Sequence, residues 1–383
     1  MIRNRVLFVL IVAGLLAGFG LAFVTHAPNR LVSGRPVALI AAADGARLLA
    51  LLPGVFLLFG PFLPQRRAAH GAIAIAAATF LVALCWLAGA SAASLAESAS
   101  PAARTSLGAA FWTLFICTAL ALIDAARRLG LSAAAGLLIG AAVAAAIALL
   151  GASGALDQLS IVREYVNRRD VFADAVMRHI VIVLAALVPS LILGVPIGIL
   201  AHRRKTFAAG LFPILNIVQT IPSIALFGML IAPLSSLAAI FPGLAALGVS
   251  GIGLAPAVIA LVLYSLLPIV RNMAEGLAGV PPAAIEAARG MGMTRRQVFW
   301  RVELSLALPV FLSGLRITAV QAVGLAAVAA LIGAGGLGAI MFQGLFAYAL
   351  DLALLGALPV ILLAVVVDAF LRLLTAYAER RPG

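Results

Sequence analysis

Charge is what this sequence has least of. Only 10% of its 383 residues are Asp, Glu, Lys or Arg, 64% are hydrophobic, and the mean hydropathy is +1.20. A water-soluble domain carries about 25% charged residues, so neither a soluble enzyme built on one core nor a disordered chain fits. Lysine is nearly missing: Lys205 is the single one among 26 basic residues. A P-loop needs Gly-Lys-Ser/Thr, and in Arg203-Arg204-Lys205-Thr206 an arginine stands where the glycine should be. The four histidines (His26, His70, His179, His202) and the cysteines Cys85 and Cys117 have no metal-ligand spacing. Both cysteines sit in apolar runs and read as reduced packing residues. No Gly-x-Ser-x-Gly elbow occurs. The chain is therefore expected to have no catalytic residue, metal or cofactor of its own.

What is present is a series of long apolar runs. A bilayer core needs about 20 apolar residues per helix, and such runs lie near 6–24, 45–63, 71–90, 107–123, 131–152, 179–201, 207–233, 254–270, 306–332 and 352–373. The expected fold is an all-α polytopic membrane protein of about ten transmembrane helices. The first run follows Arg3 and Arg5 and ends in Thr25-His26-Ala27 before Pro28, so it reads either as a retained span or as a signal peptide. Retention is favoured by its length. Residues 153–178 combine Arg163-Glu164 and Arg168-Arg169-Asp170 with apolar positions such as Ile161 and Phe172, and predict an external, surface-lying amphipathic segment. The stretch 234–253 reads as a loop or a re-entrant piece.

A net charge of +13 would suggest nucleic acid in a soluble chain, but here the basic residues lie between apolar runs and report orientation instead. With the N-terminus inside, 17 basic residues, Arg380 and Arg381 among them, face the cytoplasm and 7, Arg30 among them, face outward. That bias predicts an N-in, C-in arrangement and no nucleic-acid partner.

The two halves differ. Residues 1–152 form a block of about five plain Ala/Leu-rich spans, packed through small pairs such as Gly14 with Gly18 and Gly136 with Gly140. From 179 onward prolines recur within spans (Pro189, Pro196, Pro213, Pro222, Pro256, Pro268, Pro309, Pro359). Each removes a backbone donor, which is tolerated in lipid only beside protein or a water-filled cavity. A translocation pathway is expected there. Gly333-Ala-Gly335-Gly336-Leu-Gly338 matches Gly-x-Gly-x-x-Gly, yet it ends an apolar helix and lacks a strand before it, so a packed external turn is expected. Asp44, Arg47, Glu303, Arg316, Asp351 and Asp368 are the ionisable groups near or within spans, and all lie near span ends or within two or three turns of one. The missing mid-membrane carboxylate weakens an ion-coupled secondary transporter. Arg316 reads either as a snorkelling structural arginine or as a link between a cytoplasmic helix and a gate.

The largest cytoplasmic loop, 271–305, has the marks of structure. Pro281-Pro282 suits a first helical turn, Ala283 to Arg289 continues it, Gly290 and Gly292 break it, and Thr294 with Gln297 forms a capping box for a second helix. Such an ordered, small-faced elbow is a candidate docking surface.

Glu286-Ala287-Ala288 with Gly292 resembles the EAA loop of binding-protein-dependent ABC importer permeases. Val302, Leu304 and Ser305 fill the positions that follow; serine stands where that family has proline, and Leu308-Pro309 comes four residues later. Gln219-Thr-Ile-Pro222-Ser223, Tyr264-Ser-Leu-Leu-Pro268 and Ala330-Leu-Ile-Gly-Ala-Gly-Gly-Leu-Gly338 are similar to segments of the osmoprotectant branch, whose members take up glycine betaine, carnitine, choline and proline betaine. Methionine-type permeases share comparable Gly-Gly and EAA segments.

The resemblance implies that residues 179–383 form a type I ABC importer permease core in the bacterial cytoplasmic (inner) membrane. It implies an ATPase dimer docked on Glu286, Ala287, Ala288, Gly290 and Gly292, a second permease copy or a paralogue, and an extracytoplasmic substrate-binding protein. Gln219, Thr220, Pro222, Ser223, Tyr264 and Arg316 are the pathway candidates. Tyr264 could offer its ring face to a quaternary ammonium. Equally, Gln219 and Thr220 could cap backbone at Pro222, and Tyr264 could be ordinary packing.

Overall fold

The computed structural model describes residues 2–29 and 32–379. Arg30, Arg380 and Arg381, counted above for orientation, lie outside the described residues. The chain divides into two compact units, Met1–Asn167 and Arg168–Gly383. Nine helical stretches among the described residues are long and apolar enough to cross a membrane.

In the first unit, α1 (Arg5–Gly20) starts at Asn4, whose side chain accepts the Leu7 N–H at 3.1 Å. Asn4 also donates to Asp124 at 2.7 Å, and Arg128 donates to Asp124 and Asn4 at 2.8 and 3.1 Å. This polar knot ties α1 to the helix Ala109–Arg128. The apolar run at 6–24 becomes a helix of only 16 residues, about 24 Å at 1.5 Å per residue, because the chain leaves it for a strand. Thr25-His26-Ala27 belongs to β1 (Val24–Ala27), the centre of a three-stranded antiparallel sheet with β2 (Arg35–Val37) and β3 (Arg104–Leu107). No strand is expected from the apolar pattern, since these are short polar connections between runs.

Next come α2 (Leu39–Ala42) and a stretch, Gly45–Phe62, that includes α3 (Leu52–Phe59). The long helices α4 (Arg67–Glu97) and α5 (Ala109–Arg128) follow, then α6 (Ala133–Ala152) and α7 (Ser160–Asn167). Phe23, Leu84, Leu87 and Phe111 are buried among them. A Cβ on Gly14 would meet the Leu114 side chain at 3.3 Å, so the Gly14–Gly18 face does pack closely. The Gly136–Gly140 pair does not: open space surrounds both, and α6 has no buried residue.

The second unit is built on α8 (Arg169–Arg203), which packs along α12 (Leu254–Ala278). The contact is made by Gly194 and Gly198, four residues apart: a Cβ on Gly198 would lie 2.7 Å from Met273 Cβ and 2.8 Å from the Val270 carbonyl. Small residues at this spacing let helices approach where lipid gives no hydrophobic drive. Because α8 starts at Arg169, the segment 153–178 is not one surface helix; α7 takes its middle, and its last ten residues are the first turns of a membrane helix. The run 207–233 also differs from one span. It is α9 (Lys205–Thr220) and α10 (Ser223–Ile240), with Ile221-Pro222 extended between them. A residue before proline is disfavoured in the helical region, and here the chain takes the break, whereas Pro189, Pro196 and Pro213 are carried inside α8 and α9. Residues 234–240 continue α10, and α11 (Pro242–Ala246) with glycine turns at Gly248 and Gly253 leads into α12.

Beyond α12 come α13 (Pro282–Gly290), α14 (Arg295–Val298), a π turn over Phe299–Glu303, α15 (Leu304–Val328), α16 (Leu337–Phe346) and α17 (Leu350–Glu379). Ile182, Phe227, Ala257, Leu261 and Val323 fill the core between α8, α10, α12 and α15.

Candidate functional site

The expected loop 271–305 is almost entirely helical. Helix α12 runs to Ala278, and α13 begins with Pro282 in its first turn, where the missing N–H has no partner to lose. Gly290 does not break α13; it is its last residue. The break is at Gly292, with φ +80°, and it closes through hydrogen bonds from Gly292 N–H to Arg289 O (2.9 Å) and from Met293 N–H to Ala288 O (3.2 Å). That is a left-handed cap of the Schellman kind. Nothing lies within 4 Å of a Cβ added at Gly292, so backbone conformation alone demands glycine there.

The capping box expected at Thr294 is present. Thr294 Oγ1 accepts the Gln297 N–H at 3.4 Å, and Gln297 Oε1 accepts the Thr294 N–H at 2.8 Å. The π turn then joins α14 to α15 without a loop. Ala288, Val298 and Phe299 are buried, and Phe299 packs with Met273, Leu277, Val280 and Ala307 at the base of α12 and α15. Glu286 and Ala287 face outward. The result is a fixed hairpin with one face anchored on the membrane helices and one left open.

A second cluster forms at the Pro222 break. Gln219 Nε2 donates to the Tyr264 carbonyl at 2.8 Å, the Tyr264 hydroxyl donates to the Ile221 carbonyl, and Thr220 Oγ1 donates to Ile217 O at 2.7 Å. Four of the pathway candidates, Gln219, Thr220, Pro222 and Tyr264, thus meet at one place, and Ser223 begins the helix that follows. These bonds satisfy the Ile217 and Ile221 carbonyls at the helix break and the Tyr264 carbonyl, which Pro268 four residues on leaves without its helical N–H. Tyr264 is only 6% exposed, so its ring has little open face in this conformation.

Arg316 is not with them. Its Nε lies 3.2 Å from Asp368 Oδ1, and Asp368 Oδ2 accepts from Arg372 at 2.5 Å, which makes a three-charge cluster between α15 and α17. Asp368 is four residues past the middle of the stretch Leu350–Ala378, so a carboxylate does sit well inside a span, with its charge matched. The sequence signal was available in the spacing of Asp368 and Arg372, four apart inside an apolar run.

The glycine motif at 333–338 follows a 3₁₀ turn, not a strand. Gly333, Gly335 and Gly336 have φ between +77° and +83°. Arg178 Nε donates to Ala334 O at 3.0 Å, and the fully buried His179 is held by Val323 O at 3.2 Å against Gly336. A Cβ on Gly338 would lie 1.9 Å from Ala327 O. The motif is a packed turn, and its partners Arg178 and His179 come from α8, too far away in the sequence for any local spacing to mark them.

Residues 190–380 match the family described as the binding-protein-dependent transport system inner membrane component. Residues 3–162 match the family described as the N-terminal domain of ABC transporter permease YehY. The osmoprotectant import permease protein OsmW of Salmonella typhimurium is 43% identical over 51% of this chain and 86% of its own length. The carnitine transport permease protein OpuCB of Listeria monocytogenes is 41% identical over 50% of this chain and 80% of its own. The choline transport system permease protein OpuBB of Bacillus subtilis is 38% identical over 53% and 84%. Chains of the methionine ABC transporter MetNI, in an inward-facing conformation, align with a TM-score of 0.48 at 24% identity, over 56% of this chain and 99% of theirs. With OsmW matched over most of its length at 43% identity, the chain belongs to the binding-protein-dependent ABC importer permeases, in the branch that contains the osmoprotectant permeases.

Proposed function

We propose that this protein is the permease subunit of an ATP-driven importer of osmoprotectants of the quaternary-amine class, such as glycine betaine, carnitine or choline. The observation that carries the substrate class is the 38–43% identity to permeases named for osmoprotectants, carnitine and choline. The methionine alternative rests on the shared Gly-Gly and EAA segments. ATP hydrolysis falls to a partner ATPase pair, substrate delivery to an extracytoplasmic binding protein, and the pathway to two copies of this core or this core and a paralogue.

The N-in, C-in orientation places the α13–α14 hairpin inside. Its open Glu286–Ala287 face is the surface offered to the ATPase, Ala288 anchors the helix inward, and Gly290 and Gly292 shape its end. Because α14 passes through the π turn into α15 without a flexible link, a push on α13 moves α15 and α12 as one body. Gln219, Thr220, Pro222 and Tyr264 form the braced break across which the pathway helices change direction. Residues 1–152 are an added block that this mechanism does not use.

The test is co-purification with a candidate ABC ATPase from the same cells, followed by ATP turnover with and without betaine-loaded binding protein. Stimulation by the loaded binding protein is expected. Uptake that continues without any ATPase would replace the importer with a secondary transporter.

A further inference from the structure

Arginines in the second unit do more than mark orientation. Arg203 at the end of α8, Arg289 in the last turn of α13, and Arg295 and Arg296 at the start of α14 surround one cleft of about 520 Å³. Phe299 forms part of its lining, and Glu303 is its only carboxylate. Among the described residues, no carboxylate lies within ion-pair distance of any of the four guanidinium groups. Arg203 instead lies over the Phe299 ring, 4.9 Å from its centre, so one cation is held over an apolar surface and aimed at the cleft.

Four positive groups around a concavity, with one negative group among them, leave an excess of positive charge that an anion held between them would offset. Arginine forks fit phosphate oxygens two at a time. The cleft also sits where a 35-residue membrane helix ends, and Trp300 beside it is 59% exposed. Exposed tryptophan is characteristic of the headgroup level of a bilayer, and basic pockets between membrane helices take lipid phosphates there.

We propose that this cleft binds the headgroup of an anionic phospholipid, with a diphosphate lipid preferred over a monophosphate one because the cationic excess is large. The inference needs the membrane reading of the chain and not the importer assignment. An acidic protein surface is the competing occupant, and a free phosphate ion shares the headgroup chemistry.

The experiment is native mass spectrometry of the full-length protein exchanged into zwitterionic detergent. Cardiolipin, phosphatidylglycerol or phosphatidylcholine is added at equal amounts. Wild type, Arg295→Gln/Arg296→Gln and Arg295→Lys/Arg296→Lys are compared with a control pair in the first unit, Arg66→Gln/Arg67→Gln. Cardiolipin is expected to be retained about tenfold over phosphatidylcholine. The Gln pair should abolish that preference, the Lys pair should keep part of it, and the control should leave it unchanged. An equal loss in the control and the Gln pair would reduce the site to diffuse surface charge and overturn the proposal. So would unaltered lipid binding in the Gln pair alongside lost capture of the ATPase, which would make the cleft a protein dock. Displacement of cardiolipin by millimolar inorganic phosphate would reassign the ligand from a lipid to a soluble anion.

Discussion

Removing the carboxylate of Asp368 should destabilise the protein more than removing either arginine that it binds. Asp368 meets Arg316 at 3.2 Å through one oxygen and Arg372 at 2.5 Å through the other. Arg316 lies 12 residues into α15, about 18 Å along the helix, and has no other carboxylate partner among the described residues. In Asp368→Ala that guanidinium is stranded within the apolar layer. Breaking a fully buried pair costs about 3–5 kcal/mol. The two side chains are 33% and 30% exposed, which scales the cost to about 2–3 kcal/mol, and insertion scales for an unpaired arginine at mid-span give about the same figure.

Arg316→Met leaves Asp368 still bound to Arg372 and should cost only about 1 kcal/mol. The double variant Arg316→Met/Asp368→Ala removes both charges of the pair and leaves Arg372, which is half exposed, to solvent. Apolar replacement of a pair is often neutral, so its cost should fall well below the sum of the two single variants. At about 2–4 °C per kcal/mol for a unit of this size, Asp368→Ala should lower the thermal midpoint by about 4–12 °C, measured as monodisperse protein remaining after heating in detergent. A neutral Asp368→Ala, or a double variant whose loss equals the sum of the singles, would show that the cluster carries no coupling energy.

At Gly292 the left-handed φ of +80° disfavours any other residue by about 1–2 kcal/mol. Gly292→Ala should therefore keep ATPase capture with a weaker hairpin, while Gly292→Pro, fixed near −65°, should abolish ATP-dependent uptake but not membrane insertion. Gly338→Ala places a Cβ 1.9 Å from Ala327 O and should leave little monodisperse protein on size-exclusion chromatography. Tyr264→Phe strands the Ile221 carbonyl at the Pro222 break. It should cost about 1–3 kcal/mol of stability while leaving the KM of uptake unchanged, since the ring is retained; a raised KM at unchanged stability would instead put the hydroxyl on the substrate.

Long apolar runs were legible because each span must be apolar over its whole length, and that signal survives without any knowledge of partners. Boundaries were not. The helix α8 was expected to begin at 179 but begins at Arg169, since an amphipathic first turn reads as loop by hydropathy although its backbone continues the helix. The break at Ile221-Pro222 was hidden for the opposite reason: both sides are apolar, so hydropathy bridges the gap, and proline alone does not mark it because Pro213 and Pro233 sit inside the two helices it separates. The β1–β3 sheet lay in connections too short for alternation to register.

Local caps were legible and partnerships were not, and the difference is physical. The capping box at Thr294 and Gln297, three residues apart, is a contact within one turn, so spacing specifies it. A small-residue pair specifies only a smooth helix face, and what lies opposite that face decides whether it matters. Gly136 and Gly140 have the same spacing as Gly194 and Gly198, yet the first pair meets open space and the second meets Met273 and Ile269 within 3 Å. Gly140→Leu should therefore be tolerated within about 0.5 kcal/mol of wild type. Gly198→Leu should force α8 off α12 and remove the folded core, because Val270 O, at 2.8 Å from an added Cβ, is backbone and cannot turn aside. Equal tolerance of the two substitutions in the heating assay would show that close approach of α8 and α12 is not what holds the second unit together.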